Sequence, residues 1–455
     1  MKIDPFPPTP APQLAHLPHV VIVGGGASGV LLAAHLLRDP DAALRVTVIE
    51  GRHMLGCGVA YSTADPGHLL NTRVANMSAY PDDPDHFRRW LAARGHQGTG
   101  ASFVSRAIYG RYMTDLLAPL SADGRLHCLR AECVRLQPTP SGVAAHLHDG
   151  RIITADSAVL ATGHALPEPD PEGLVTGAWE GAAPPPPAGR VVIIGSGLSM
   201  VDQAISLISQ GHRGEIVAIS RRAQLPRIHA AGQPLPVAFA DVPLGAPVSA
   251  VMAWLRGLVT QAEAQGGTWR DAVDGIRPHL SALWRAMPPP ERARFLRHAA
   301  PWWEVHRHRL PSESAAPITL ALRTGRMRQL AGSFTGASRD GAILHAHWRP
   351  RGQDAILSLD ASRIIDCRGI RRDPEACATP LVAALLASGH ARIDPLRLGL
   401  DVAPDCAVID ARGNPNPRLR AIGPASRAAF WEITAITDIR EQAQGLAKAL
   451  TQQFA

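Results

Sequence analysis

Short apolar runs that stop at glycine punctuate this chain. His19–Val23 (H-V-V-I-V) halts at Gly24-Gly25-Gly26, and Val191–Ile194 (V-V-I-I) halts at Gly195-Ser196-Gly197. Runs of this length, rich in β-branched residues and closed by glycine, predict strands buried on both faces. An apolar stretch of helical pattern follows each, Val30–Leu37 and Leu198–Ile208, so both places predict strand, tight turn and helix. Further strands are predicted at Arg45–Glu50 and Glu215–Ile219, and within Ala158–Gly163, Ile364–Gly369 and Leu419–Pro424. Apolar residues recur at helical spacing from Val248 to Val259 and again from Trp269 to Trp284, which predicts a helical block over about 242–310. A last helix is predicted to start within Trp431–Asp438 and to run to about Leu450.

Composition narrows the class. The chain has 455 residues, 46% hydrophobic and 19% charged, an ordinary globular balance with length for about three domains. Six prolines in residues 1–18 read as an extended arm rather than a signal peptide. Val20–Leu37 is almost unbroken apolar sequence, but three consecutive glycines, Ser28 and His35 argue against a membrane helix. The net charge of +7 is spread over scattered arginines, which disfavours a nucleic-acid partner and suits a binder of pyrophosphates and carboxylates. None of the six cysteines forms C-x-x-C or a zinc spacing, so reduced thiols in a cytoplasmic protein are expected, and no metal site.

The first glycine turn, Gly24-Gly25-Gly26-Ala27-Ser28-Gly29, is G-x-G-x-x-G between strand and helix. Gly24 permits the turn, Gly26 lets a pyrophosphate approach the backbone, and Gly29 lets helix and strand pack closely. The N–H groups at the start of the helix, around Ala27 and Ser28, then face the phosphates. Glu50 ends the next strand 21 residues after Gly29, where a carboxylate accepts from ribose hydroxyls. The second turn, Gly195-Ser196-Gly197-Leu198-Ser199-Met200, repeats the pattern with Met200 in place of the third glycine. The strand after it ends in Arg221 and Arg222 instead of an acid, which favours a ribose 2′-phosphate and hence NADPH over NADH. Two such motifs suit a flavoprotein that takes hydride from a nicotinamide.

The expected fold is therefore α/β, with two Rossmann-like dinucleotide-binding domains and a helical insert. Residues 1–18 form the arm, 19–183 with 341–455 a discontinuous first domain, and 188–340 the second, carrying the insert at about 242–310. The strand ends at Thr162-Gly163 and at Cys367-Arg368-Gly369 suit crossings between the domains near a cofactor, and plain strand exits equally well; Gly423, at another strand stop, is a further cofactor-binding candidate. A helix entered past Trp431 and Thr434 would direct a positive end at a flavin. In Trp302–Arg309, His306 and His308 lack a third metal ligand. If that segment is extended, Arg307 and Arg309 share a face and could clamp an anionic substrate or a cofactor phosphate; ion pairing within the protein is the alternative.

Taken together, V-V-I-V-G-G-G-A-S-G (20–29), G-V-A-Y-S-T (58–63), H-L-L-N-T-R-V-A-N-M-S-A-Y-P-D-D-P-D-H-F (68–87), V-H-R-H-R (305–309), A-I-G-P and W-E-I-T resemble the YdhS-like FAD/NAD(P)-binding proteins over nearly the whole chain. That family looks related to N-hydroxylating flavin monooxygenases. The resemblance implies FAD on Gly24, Gly26, Gly29 and Glu50, NADPH on Gly195, Gly197 and Arg221, and Asn71, Met77 and Ser78 near the flavin ring. The expected reaction is oxygenation of a small amine-type nucleophile by dioxygen through a flavin hydroperoxide, with Asn71, Ser78 and Arg307 as polar helpers. An NADPH-dependent reductase and a non-catalytic redox sensor are the alternatives, and a homo-oligomer is left open.

Overall fold

The computed structural model describes residues 14, 16–164, 168–180, 184–369 and 373–454, so the proline-rich arm falls almost entirely outside the described residues. The chain folds as α/β around two largely parallel sheets. In the first half run β1 (His19–Val23), α1 (Ala27–Leu37), β2 (Arg45–Glu50), α2 (His86–Ala93), α3 (Arg106–Asp115), β3 (Leu126–Arg130), β4 (Cys133–Thr139), β5 (Gly142–Leu147), β6 (Ile152–Ala155), β7 (Ser157–Leu160), β8 (Thr176–Gly177), β9 (Val191–Ile194), α4 (Leu198–Ser209) and β10 (Ile216–Ser220). The insert follows as α5 (Val248–Ala264), α6 (Trp269–Gly275), α7 (Leu280–Ala286), α8 (Pro289–His298) and α9 (Ala300–Arg307). The chain closes with α10 (Ser312–Arg323), β11 (Met327–Asp340), β12 (Ile343–Pro350), β13 (Leu357–Ala361), β14 (Arg363–Asp366), α11 (Pro380–Ala387), β15 (Ala407–Ile409), β16 (Pro415–Ala421), α12 (Arg427–Phe430) and α13 (Ile436–Phe454).

The first sheet has the order β15-β16-β7-β1-β2-β3. β1 sits between β2 and β7, parallel to both, so the turn after it opens where the strand order changes direction. All five β1 residues are buried because both faces of the sheet are covered. Val20 and Ile22 join a core with α1, α3 and α13, whereas Val21 and Val23 join one with β4, β5 and α11. The second sheet has the order β13-β12-β11-β10-β9-β14-β8. There α4 and α10 cover Val191, Ile193 and Ile216 on one face. The antiparallel strands β12 and β13 supply the cover on the other, through Leu344, Ala346 and Trp348 of β12 and Ala361 of β13.

This topology corrects the expected boundaries. Residues after 341 do not return at once to the first unit, because β11 is long enough to pair with β10 and then fold back on β12. β14 next inserts beside β9, and β8 pairs with β14, so the second sheet takes its strands from 176 to 366. The predicted crossing at 341 is a hairpin tip.

Polar contacts fix the two units against each other. His68 Nε2 lies 3.0 Å from the Asp202 carbonyl oxygen and 2.9 Å from Ser206 Oγ, on α4. Arg106 pairs with Asp202 at 3.0 Å in a nearly closed setting. Arg73 donates to the Ala230 carbonyl at 2.9 Å, and His229 to that of Asn71 at 2.9 Å. The 68–87 stretch therefore begins as the seam between the units.

Several histidines are held neutral by burial. His19 Nδ1–H donates to the Thr154 carbonyl (2.8 Å), which leaves Nε2 to accept from Thr47 Oγ1 (2.8 Å). Burial foremost lowers the pKa values of His19, His35, His229 and His308 to about 4. Between pH 6.5 and 4 the unfolded chain binds protons at these rings that the folded chain does not, so stability falls as pH drops through that window. The urea midpoint is expected to be clearly lower at about pH 5 than at about pH 8; equal midpoints would contradict the neutral assignment.

Candidate functional site

The two glycine turns have matching geometry. Gly24 has φ +106°, and a Cβ there would meet the Ala161 carbonyl oxygen at 2.4 Å. Gly195 has φ +114°, and a Cβ there would meet the Cys367 carbonyl oxygen at 2.5 Å. In both cases the turn lies against the carboxyl end of a neighbouring strand, β7 or β14, and only glycine fits. Gly29 is required by packing, since a Cβ would lie 1.9 Å from the Gly24 carbonyl oxygen.

Gly26 and Gly197 differ from these. A Cβ on Gly26 would meet nothing nearer than Gly58 Cα at 3.5 Å, and one on Gly197 would meet nothing within 4 Å. No described protein atom demands glycine at either place. Both residues are helix N-caps without a side-chain cap hydrogen bond, and neither helix has an acid in its first turn. Each helix therefore offers unanswered N–H groups and a partial positive charge into open space, the arrangement a nucleotide pyrophosphate fills. Ser28 is buried and Ala27 half-buried at the first opening; Ser196, Leu198 and Ser199 lie around the second, with Leu198 and Ser199 half-buried.

At the end of β2, Glu50 Oε2 accepts from the Gly25 N–H and Oε1 from the Arg52 N–H, both at 2.8 Å. The carboxylate is thereby pinned at the rim with lone pairs left for ribose hydroxyls. Thr162 is exposed and Gly163 has φ +67°, both just beyond β7 on the same edge as Gly24. Gly423 (φ +61°) is buried against α1, where a Cβ would meet Ser28 Oγ at 2.2 Å. Sequence reasoning assigned no role to Gly58 (φ +49°), whose Cα faces Gly26 across the opening; the glycines flanking Cys57 were the available signal.

At the end of β10, Arg221 is exposed and Arg222 half-buried. Arg222 Nη1 is buried with no hydrogen-bond partner, and its guanidinium carbon lies 5.6 Å from the ring centroid of Trp302, itself 46% exposed. A buried cationic donor without an acceptor fits an anionic ligand group there. Met200, where a third glycine was expected, is wholly buried among the residues under α4.

Three of the predicted residues are enclosed by protein. Ser78 is fully buried, its hydroxyl lies 2.6 Å from the Asp83 carbonyl oxygen, and it accepts from the Tyr80 N–H at 3.1 Å. Met77, 2% exposed, packs in the core with Val74 and Ala79 rather than facing an opening. Arg307 belongs to a helix, not an extended segment, and lies buried with its Nε 3.4 Å from Glu432 Oε2. Arg309 pairs separately with Asp274, so the two arginines form no clamp. Asn71 remains half-buried at the seam.

The C-terminal segment faces the insert. Trp431 (φ +35°) stacks on Trp284 at 4.9 Å and 25°. Glu432 Oε1 accepts from Trp303 Nε1 at 2.6 Å. Burial raises the Glu432 pKa, but Arg307, His308, the Trp303 bond and Arg277 outweigh it and hold the carboxyl below its usual value. Thr434 is half-buried next to it. The positive end of α13 already has Asp438 in its first turn. No disulfide forms among the described residues, and burial pushes the Cys57 thiol up, so a thiol–disulfide couple has no support here. No described helix is long and apolar enough to cross a membrane.

Comparison with known proteins agrees with this geometry. Residues 21–165 match a family described as FAD-NAD(P)-binding. No curated protein matches the chain by sequence. An ornithine N-hydroxylase of Kutzneria sp. 744, solved with reduced FAD, NADP+ and L-ornithine, is similar at TM-score 0.64 and 14% identity, over 98% of this chain and 100% of that one. The FAD-bound cadaverine monooxygenase of Erwinia amylovora is similar at TM-score 0.62 and 13% identity, over 95% of this chain and 94% of that one. A thioredoxin reductase of T. acidophilum is similar at TM-score 0.52 and 13% identity, over 95% and 97%. At these identities the likeness is one of fold, and the fold is that of flavoproteins with two dinucleotide-binding units.

Proposed function

We propose that the chain is an FAD- and NADPH-dependent oxidoreductase that oxygenates a small amine, akin to the YdhS-like proteins and to the N-hydroxylating enzymes. The observation that carries this reading is the pair of glycine openings at whose second glycines, Gly26 and Gly197, no described protein atom crowds the place of a side chain, the nearest being Gly58 Cα at 3.5 Å from a Cβ on Gly26. FAD on the first turn would supply hydride acceptance and activation of dioxygen, with NADPH on the second as hydride donor. The chain supplies binding and orientation. N–H groups at the start of α1 and α4 hold pyrophosphates, Glu50 holds a ribose, and Arg222, with Arg221 beside it, meets the 2′-phosphate. The seam through His68, Arg106 and Asp202 keeps the two openings in fixed relation. This chemistry needs no protein nucleophile.

Purified yellow protein given NADPH in air should show oxygen uptake that rises with added amine, with a hydroxylamine product. NADPH oxidation that requires an added electron acceptor would favour a reductase, and failure of NADPH to bleach the flavin would refute both. Arg222→Ala is expected to raise KM for NADPH about 10- to 100-fold, since a hydrogen bond to a charged group contributes about 1.5–3 kcal/mol, and to leave KM for NADH nearly unchanged. Equal loss for both would remove the 2′-phosphate assignment.

A further inference from the structure

The turn after β10 is a tight one. Ser220 Oγ accepts from the Ala223 N–H at 3.1 Å and Ala223 sits at φ +48°, which places Arg221 and Arg222 in the middle of the turn. It adjoins the second glycine opening, because the Gly195 N–H donates to the Ile219 carbonyl at the end of β10 at 2.8 Å. Among the described residues Arg222 Nη1 is buried without an acceptor, and the guanidinium carbon lies 5.6 Å from the ring centroid of Trp302. Trp302 belongs to α9, in the helical insert and not in the sheet that carries the glycine turn. The carboxyl end of α9 is stitched to the chain just past the arginines. The Arg227 N–H donates to the Val305 carbonyl at 2.9 Å, and the Leu310 N–H to the Arg227 carbonyl at 2.8 Å. His306 Nδ1–H donates to the Trp302 carbonyl at 2.7 Å, and its ring packs edge-on against Trp269 at 4.7 Å. The backbone of Trp302 is thereby fixed, yet the residue stays 46% exposed. A braced indole with an open face, next to a guanidinium that lacks an acceptor, suits a ligand that carries a flat ring beside an anion. An adenosine 2′-phosphate is such a ligand, with its base and its phosphate on adjacent ribose carbons.

We propose that Trp302 supplies the face on which the adenine of the nicotinamide dinucleotide stacks, beside the 2′-phosphate on Arg222. The assignment rests on the NADPH reading above. It makes the helical insert part of the second nucleotide site, which the glycine turn and the arginine pair alone do not include. The two residues divide the work. Trp302 acts on the base, which NADPH and NADH share, and Arg222 acts on the phosphate, which only NADPH carries.

The test uses the FAD-loaded protein in two measurements. Calorimetric titration compares adenosine 2′-monophosphate with cytidine 2′-monophosphate, and the concentration dependence of flavin bleaching compares NADPH with NADH. The native protein should bind the adenosine ligand several-fold more tightly, because a purine covers more of the indole. Trp302→Ala should weaken that ligand roughly tenfold, as expected for the loss of one base–aromatic stack, and bring the two monophosphates to nearly equal affinity. It should weaken NADPH and NADH by similar factors, whereas Arg222→Ala weakens NADPH alone. Trp302→Phe should regain most of the loss. Flavin absorbance and the melting temperature should stay at native values in both Trp302 variants, since the residue is half open to solvent. Unchanged affinity in Trp302→Ala, or a base preference that survives it, would overturn the proposal. A loss confined to NADPH would overturn it too, because Trp302 would then only brace Arg222. Binding of the monophosphates that depends on Arg222 and not on Trp302 would leave the NADPH reading standing and remove this inference alone. A native protein that binds neither monophosphate and is not bleached by NADPH would strike the NADPH reading itself.

Discussion

Gly26→Val is expected to give a folded but colourless protein. Gly26 lies at φ −71° and ψ −171°, extended backbone that any residue adopts, so valine introduces no backbone strain. Its Cβ would stand 3.5 Å from Gly58 Cα, an ordinary contact, and the lower entropy of the unfolded chain favours the larger residue slightly. The branched methyls would occupy the space before the first turn of α1 and hold a pyrophosphate off its N–H groups. Losing two hydrogen bonds to a charged group removes about 3–6 kcal/mol, or more than about a hundredfold in FAD affinity. The contrast is Gly29→Ala, whose Cβ would overlap the Gly24 carbonyl and damage the fold itself. Circular dichroism melts and the flavin absorbance of both variants separate the two effects. A yellow Gly26→Val protein would end the assignment of this turn to the cofactor.

Glu432→Ala is expected to lower stability by about 3–5 kcal/mol, the range for a buried ion pair that loses one partner. Glu432 is 8% exposed and Arg307 9% exposed, so the guanidinium would remain in a closed setting without its carboxylate, and the Trp303 N–H would lose its acceptor. The depressed Glu432 pKa carries the same sign: its contribution is present above the usual carboxylate range and is lost as pH falls through the lower folded value. Glu432→Leu combined with Arg307→Met should recover most of the loss, because a pair of well-packed apolar residues needs no counter-charge. Urea unfolding of the native chain and the two variants tests this. A single variant as stable as the native chain would show that the insert is not anchored through this pair.

Local pattern decided a great deal. The β1, β2 and β9 ranges are those the apolar runs and glycines predict, and β10 is shifted by one residue, since a run that must be buried on both faces and then turn sharply leaves few alternatives. The helical block and the final helix also follow from periodicity, although α13 begins only at Ile436. The roles of Gly24 and Gly29 could be read from spacing alone because a backbone turn is a local object. What tertiary structure alone decided is non-local. The β11–β12 hairpin follows a strand already paired with β10, and the insertion of β14 beside β9 joins partners far apart in the chain, which no local periodicity specifies. Ser78 looked available until the Asp83 carbonyl closed over it, and Arg307 looked like a ligand clamp until Glu432, far along the chain, took its charge. A polar side chain advertises its chemistry in sequence, but whether that chemistry is spent inside the fold or left for a ligand depends on the partner that packing brings to it.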